Sequence, residues 1–132
     1  GCSTCPPRNI RYGTGKLGSL GWPRLDSTTA PVLGASWRLG LSRALPSAIG
    51  QLLVGRTSLA FPFDGGQILV KPDLALPVKI SSVGKASLQF SLPSSPSLCG
   101  SDVFWQVWIP NDPVASGQGW AASNGLRIHI GR

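Results

Sequence analysis

Apolar and polar positions alternate with a period of two along several short stretches of this chain. The closing stretch "ASNGLRIHIGR" is a tight turn, then Leu126, Ile128 and Ile130 on one face with Arg127 and His129 on the other. "SWRLGLS" puts Trp37, Leu39 and Leu41 on one face and Arg38 and Gly40 on the other. After Gly84, Ala86, Leu88 and Phe90 point inward while Ser87, Gln89 and Ser91 point outward. Such alternation marks half-buried antiparallel strands. "QLLVG" and "QILVK" are apolar on both faces and are expected to be central strands with neighbours above and below. Arg24–Thr28, "LPVKI" and "DVFWQVWI" complete the set. The pattern gives about eight or nine short strands, spaced by roughly ten residues. It predicts an all-β antiparallel β-sandwich, Ig-like or jelly-roll-like.

The composition agrees. Gly 17 and Pro 12 are spread along the chain, while Glu and Met are absent. Turn formers are plentiful and strong helix formers are scarce, so no long helix is expected. A chain of 132 residues makes one domain with a real core. Residues 1–21 read differently: Pro, Gly, Ser and Thr dominate, and only Ile10, Tyr12, Leu17 and Leu20 could anchor them. They are expected to form an extended N-terminal arm, with residues 22–132 as the sandwich.

The formal charge of +7 is dispersed rather than blocked. It predicts a solvated surface first and an anionic partner second: acidic polysaccharide, lipid headgroups or nucleic acid. Nucleic acid is the least expected of these, since no reading motif is present. No apolar run approaches the roughly 18 residues that span a bilayer. The chain starts at Gly1 and holds no Met, so it is expected to be either a fragment or a processed mature protein, with removal of a secretory leader the natural explanation. A secreted or cell-surface location is expected.

Cys2, Cys5 and Cys99 are the cysteines. The N-terminal CxxC is weak as half a zinc site, because only Cys99 and His129 could complete it. As a redox motif it should open a helix, yet Pro6 and Pro7 follow. The expectation is a disulfide from Cys99 to Cys2 or Cys5, leaving one thiol that stays free or joins another chain.

Catalytic, metal and cofactor sites are not expected. His129 is the only imidazole and no GxSxG elbow is present. Asp26, Asp64, Asp73, Asp102 and Asp112 all stand in turn contexts, where Asp bonds nearby backbone amides. The aromatics are the stronger signal. In "VFWQVWI", Val103, Trp105 and Val107 share one face and are assigned to the core. Phe104, Gln106 and Trp108 share the other and, with Trp120 in "SGQGW", form the candidate binding surface. An exposed aromatic pair beside a polar group could stack a sugar ring or anchor a subunit. The alternative is a second core contact covered by the "SGQGW" loop.

"YGTGKLGSLG", "LGASWRLGLSRALPSA", "LLVG", "ILVKPD", "VFWQVWIPNDP" and "SNGLRIHIG" follow one order and spacing. Together they resemble a recurrent C-terminal β-module of large secreted and surface proteins of bacteria with elaborate envelopes. That family's pattern runs close to YGxGC-xGS, LLVSPD and QW…DP…SNGLxxxIG, and the resemblance covers Tyr12 to Gly131. It implies a secreted all-β module and no activity. The family pattern has Cys where this chain has Lys16 and Gln67. The resemblance therefore implies a lost disulfide, with Cys2, Cys5 and Cys99 as a replacement.

The function expected from the sequence is a noncatalytic structural or assembly subunit at the cell surface. Its partners would be copies of itself or other surface proteins, coupled through an arm that buries Ile10 and Tyr12 on a neighbour's sheet edge. A glycan-binding sandwich module is the alternative.

Overall fold

The computed structural model describes residues 5–132. It is an antiparallel β-sandwich of two sheets, with an additional hairpin on the outer face of the larger one. The larger sheet runs β1 (Arg8–Tyr12), β11 (Gly125–His129), β9 (Asp102–Ile109), β4 (Ile49–Gly55) and β7 (Leu74–Lys79), with the short β10 (Ala121–Ala122) also paired to β9. The smaller sheet is β2 (Arg24–Asp26), β3 (Ser36–Ser42) and β8 (Ala86–Ser91). The hairpin is β5 (Thr57–Phe63) and β6 (Gly66–Lys71), which leaves the chain between the paired strands β4 and β7.

The alternation read from the sequence sets the core. Trp37, Leu39 and Leu41 from β3 meet Trp105, Val107, Leu126 and Ile128 from the larger sheet in one buried cluster. The Trp37 and Trp105 rings lie 4.8 Å apart, and Phe90 packs 5.1 Å from Trp105. Trp37 is fully buried, and its indole N–H donates to Asn9 Oδ1 at 3.1 Å. Burial of this cluster is the main favourable term in the fold.

Ile128 is 1% exposed. Ile128→Ala should therefore destabilise by about 3 kcal/mol, since it opens a cavity between the sheets. Its neighbour differs from the free surface residue expected of its phase: His129 Nδ1 lies 2.8 Å from Asp102 Oδ1, and Arg127 donates to the other oxygen at 2.9 Å. His129→Ala should cost about 1 kcal/mol, a lost side-chain hydrogen bond. Urea denaturation of both variants checks the ranking; equal losses would contradict the inside–outside phase of β11.

Three expectations are corrected. Residues 8–12 are not a separate arm: β1 closes the larger sheet by pairing with β11, from Arg8 against His129 to Tyr12 against Gly125. Lys16 then bridges to Ala122, so the domain boundary expected at residue 22 falls inside the fold. "QILVK" is not a sheet centre; as β6 it pairs only with β5, although its Leu69 and Val70 are buried. Residues 57–63, not read as a strand from the sequence, form β5, with the turn following at Asp64 and Gly65.

Cys5 pairs with Cys99, the Cα atoms 5.8 Å apart, within disulfide reach. Cys2 lies outside the described residues. Arg132 N–H donates to Cys5 O at 3.1 Å, so the C-terminal residue lies beside the disulfide.

Candidate functional site

The aromatic surface expected from β9 is interior. Hairpin β5–β6 and the loop before β10 cover it, as in the alternative weighed for the sequence. Gln106 is fully buried and Trp108 is 4% exposed. Gln106 Oε1 accepts from Leu69 N–H and from the Trp108 indole, each at 2.9 Å. Its Nε2 donates to Gln67 O and Ser123 O, each at 3.1 Å. All four hydrogen-bonding positions of this amide are used, so it clamps β6 and the residue-123 turn onto β9. Phe63, Trp108 and Trp120 pack edge to face at centroid distances of 5.3 to 6.3 Å. Trp120, half-buried, forms the rim of this cluster.

Phe104 packs edge-on against Tyr12, centroids 5.7 Å apart. Tyr12 OH donates to Leu69 O at 2.5 Å, and a Cβ on Gly125 would collide with the Tyr12 ring. Tyr12 is thus half-buried within its own domain, while Ile10 remains 38% exposed on β1. Burial pushes the Tyr12 pKa up to about 12. It is the only Tyr in the chain, so phenolate absorbance reads it alone. Its titration midpoint should fall near pH 12, against about 10 for a free tyrosine. A raised folded-state value means full stabilisation below about pH 10, lost as pH climbs through the folded value. Tyr12→Phe should flatten that alkaline limb; a midpoint near 10 in the native protein would contradict the burial.

Lys16, where the resemblance suggested a lost cysteine, forms a buried ion pair with Asp64 in the hairpin turn. The distance is 2.8 Å and both side chains are 5% exposed. Lys16 also donates to Ser116 O. Asp64 further accepts from Gln118 N–H at 2.6 Å and Trp120 N–H at 3.2 Å. The Lys16 hydrogen bond, followed by the Gln118 amide, holds the Asp64 carboxyl below its usual range. This pair ties the segment after β1 to the hairpin. Asp102 is likewise held low: burial opposes ionisation, but hydrogen bonds from Arg127 and His129 outweigh it.

The open surface suited to a ligand lies elsewhere, where the edges of the two sheets meet beside β1 and β2. A cleft of about 520 Å³ is lined by Arg11, Tyr12, Trp22, Arg24, Arg43 and Asn124, among others. A second, of about 670 Å³, is lined by Trp22, Pro62, Phe63 and Gln67, and shares Thr14 and Gly15 with the first. Trp22 lines both and is 50% exposed, whereas Trp37, Trp105 and Trp108 are buried. Asp26 sits 3.2 Å from Arg24 and 3.9 Å from Arg11. Among the described residues Arg43 has no carboxylate partner. An exposed indole beside hydroxyl, amide and guanidinium groups is chemically suited to stack a sugar ring and bond its substituents.

The sequence reading missed Trp22. The signal was there: it follows Gly21, precedes Pro23, and belongs to no alternating run, so no strand claims it for the core. Gly21 has φ 99, a left-handed turn that carries the chain into Trp22.

No protein-family model, curated protein or solved structure matches this chain.

Proposed function

We propose that this is a secreted, noncatalytic β-sandwich module that binds glycans through the Trp22 groove. The observation that carries the reading is the half-exposed Trp22, standing between two clefts at the junction of the sheet edges. A rigid sandwich that positions loop and edge residues is a common scaffold for binding sites. The Cys5–Cys99 pair fits an oxidising compartment outside the cytosol. No helix among the described residues is long and apolar enough to cross a membrane.

The test is tryptophan fluorescence during titration with a panel of polysaccharides. Trp22 is the most solvent-exposed indole, so its stacking should dominate the change. Trp22→Ala should abolish the signal and weaken binding about tenfold, the loss of one aromatic stacking contact. Equal binding by wild type and Trp22→Ala would reject the groove.

A second reading, self-association into a surface assembly, has one observation in its favour. Strand β5 is paired on one side only and carries Leu59 (37% exposed) and Phe61 (57% exposed). An open apolar edge is a template for strand addition. The arm-coupled form of that idea has lost its coupler, because β1 already pairs with its own β11. Sedimentation of the pure protein separates the readings: a monomer at high concentration removes the assembly.

A further inference from the structure

Beyond β2 from the Trp22 groove, the outer face of the smaller sheet carries a trough of about 270 Å³. Gly40 lies at its centre in the register, opposite Asp26 on one side and Ser87 on the other. With no side chain on Gly40, the sheet dips there. Ser27, Thr28, Ser42 and Ser87 place hydroxyls around the dip, and Arg24, Arg38 and Lys85 place cations. Arg24 lines both this trough and the Trp22 groove, so the two adjoin there. Five of the twelve basic side chains thus line one path: Arg11, Arg24, Arg38, Arg43 and Lys85. Among the described residues that line the 520 Å³ cleft and the trough, Asp26 is the only acid, and it pairs with Arg11 and Arg24. Among the described residues, Arg38, Arg43 and Lys85 have no carboxylate partner, although the chain has five Asp.

We infer that the groove and trough form one track for an acidic polysaccharide, a chain bearing carboxylate or sulfate groups, with Trp22 stacking one sugar ring and the unpaired cations meeting the acidic groups along β2 and β3. This inference rests on the glycan-binding reading and names its substrate class. A cleft lined by one sign of charge concentrates the opposite sign. Hydroxyl-rich walls suit sugar hydroxyls, which both donate and accept. A single-stranded nucleic acid needs a series of aromatic platforms for successive bases. Here, among the described residues on the path, Trp22 is the only exposed aromatic ring and Tyr12 is half-buried, which favours the sugar chain.

The experiment measures binding of the whole protein to polygalacturonate, dextran sulfate, uncharged dextran and single-stranded DNA. The variants are Trp22→Ala, the track double Arg38→Ala/Lys85→Ala, and the charge-matched double Lys71→Ala/Lys79→Ala, which lies outside both clefts. The expected result is binding to at least one acidic polysaccharide and none to dextran. The two acidic polymers tell carboxylate from sulfate recognition. The track double should weaken binding about threefold to tenfold, as loss of two exposed ion pairs does. The charge-matched double should leave it unchanged. Affinity should fall roughly tenfold or more between about 50 and about 200 mM salt, through counterion release. Dextran bound as tightly as the acidic chains would leave the glycan reading standing and overturn the acidic track. Equal losses in the two double variants would overturn it as nonspecific charge attraction, and tighter binding of DNA would overturn it in favour of nucleic acid. No binding to any polysaccharide would overturn both the track and the reading beneath it.

Discussion

Gln106→Leu should destabilise the protein by at least about 3 kcal/mol, because each buried polar group left unpaired costs about 1–3 kcal/mol. The replacement is close in volume, so packing is not the reason. Four partners lose their bond at once: Leu69 N–H, the Trp108 indole, Gln67 O and Ser123 O. Two of them belong to β6 and hold the hairpin against the larger sheet. The damage should therefore show locally as well as globally. Amide exchange at Leu69 should rise with the loss of stability, and fluorescence should report a looser Trp108–Trp120 pair. Gln106→Glu separates hydrogen bonding from shape: an ionised carboxylate accepts but cannot donate to Gln67 O and Ser123 O, and should be as damaging. A Gln106→Leu protein of wild-type urea midpoint would show that the clamp contributes nothing.

Cys99→Ala should cost about 4.5 kcal/mol in the chain-entropy account, which scales with the closed loop. The sequence separation of Cys5 and Cys99 is 94, so the bond restrains most of the unfolded chain. Cys5→Ala should cost the same, whereas Cys2→Ser should leave the urea midpoint unchanged. Nonreducing peptide mapping should recover Cys5 joined to Cys99. A Cys2–Cys99 peptide, or a midpoint insensitive to Cys99→Ala, would contradict the pairing.

The phase of β9 and β11 was legible because alternation is local: Val103, Trp105 and Val107 face the sandwich interior with Leu126 and Ile128. What covered the opposite face was not. The cover is β5–β6, where Pro62 and the exposed Leu59 and Phe61 hide the strand character of residues 57–63. Gln106 read as a solvent-facing polar residue because its partners are remote; Leu69 lies 37 residues away and Gln67 lies 39. Strand β1, "RNIRY", carries charge and little alternation, and its partner β11 stands at the other end of the chain. Register between such distant segments is set by tertiary pairing, for which a single sequence offers no local cue. The Trp22 groove was obscured for a related reason. Its walls come from loops and sheet edges brought together only by closure of β1 on β11.

The neighbouring positions of Cys5 and Arg132 have a mechanical consequence. Tension applied between these two residues would peel β1 and β11 apart from one end, breaking their hydrogen bonds in succession instead of shearing them together. The disulfide then acts as a stop. With Cys5 fastened to Cys99, the stretch between them cannot lengthen, and only the thirty-three residues from Gly100 to Arg132 can be drawn out. At about 3.4 Å per extended residue, that limits the tether to roughly 110 Å, with the smaller sheet and the hairpin sealed behind the crosslink. Under reducing conditions the stop disappears, and the same pull can unravel the whole domain.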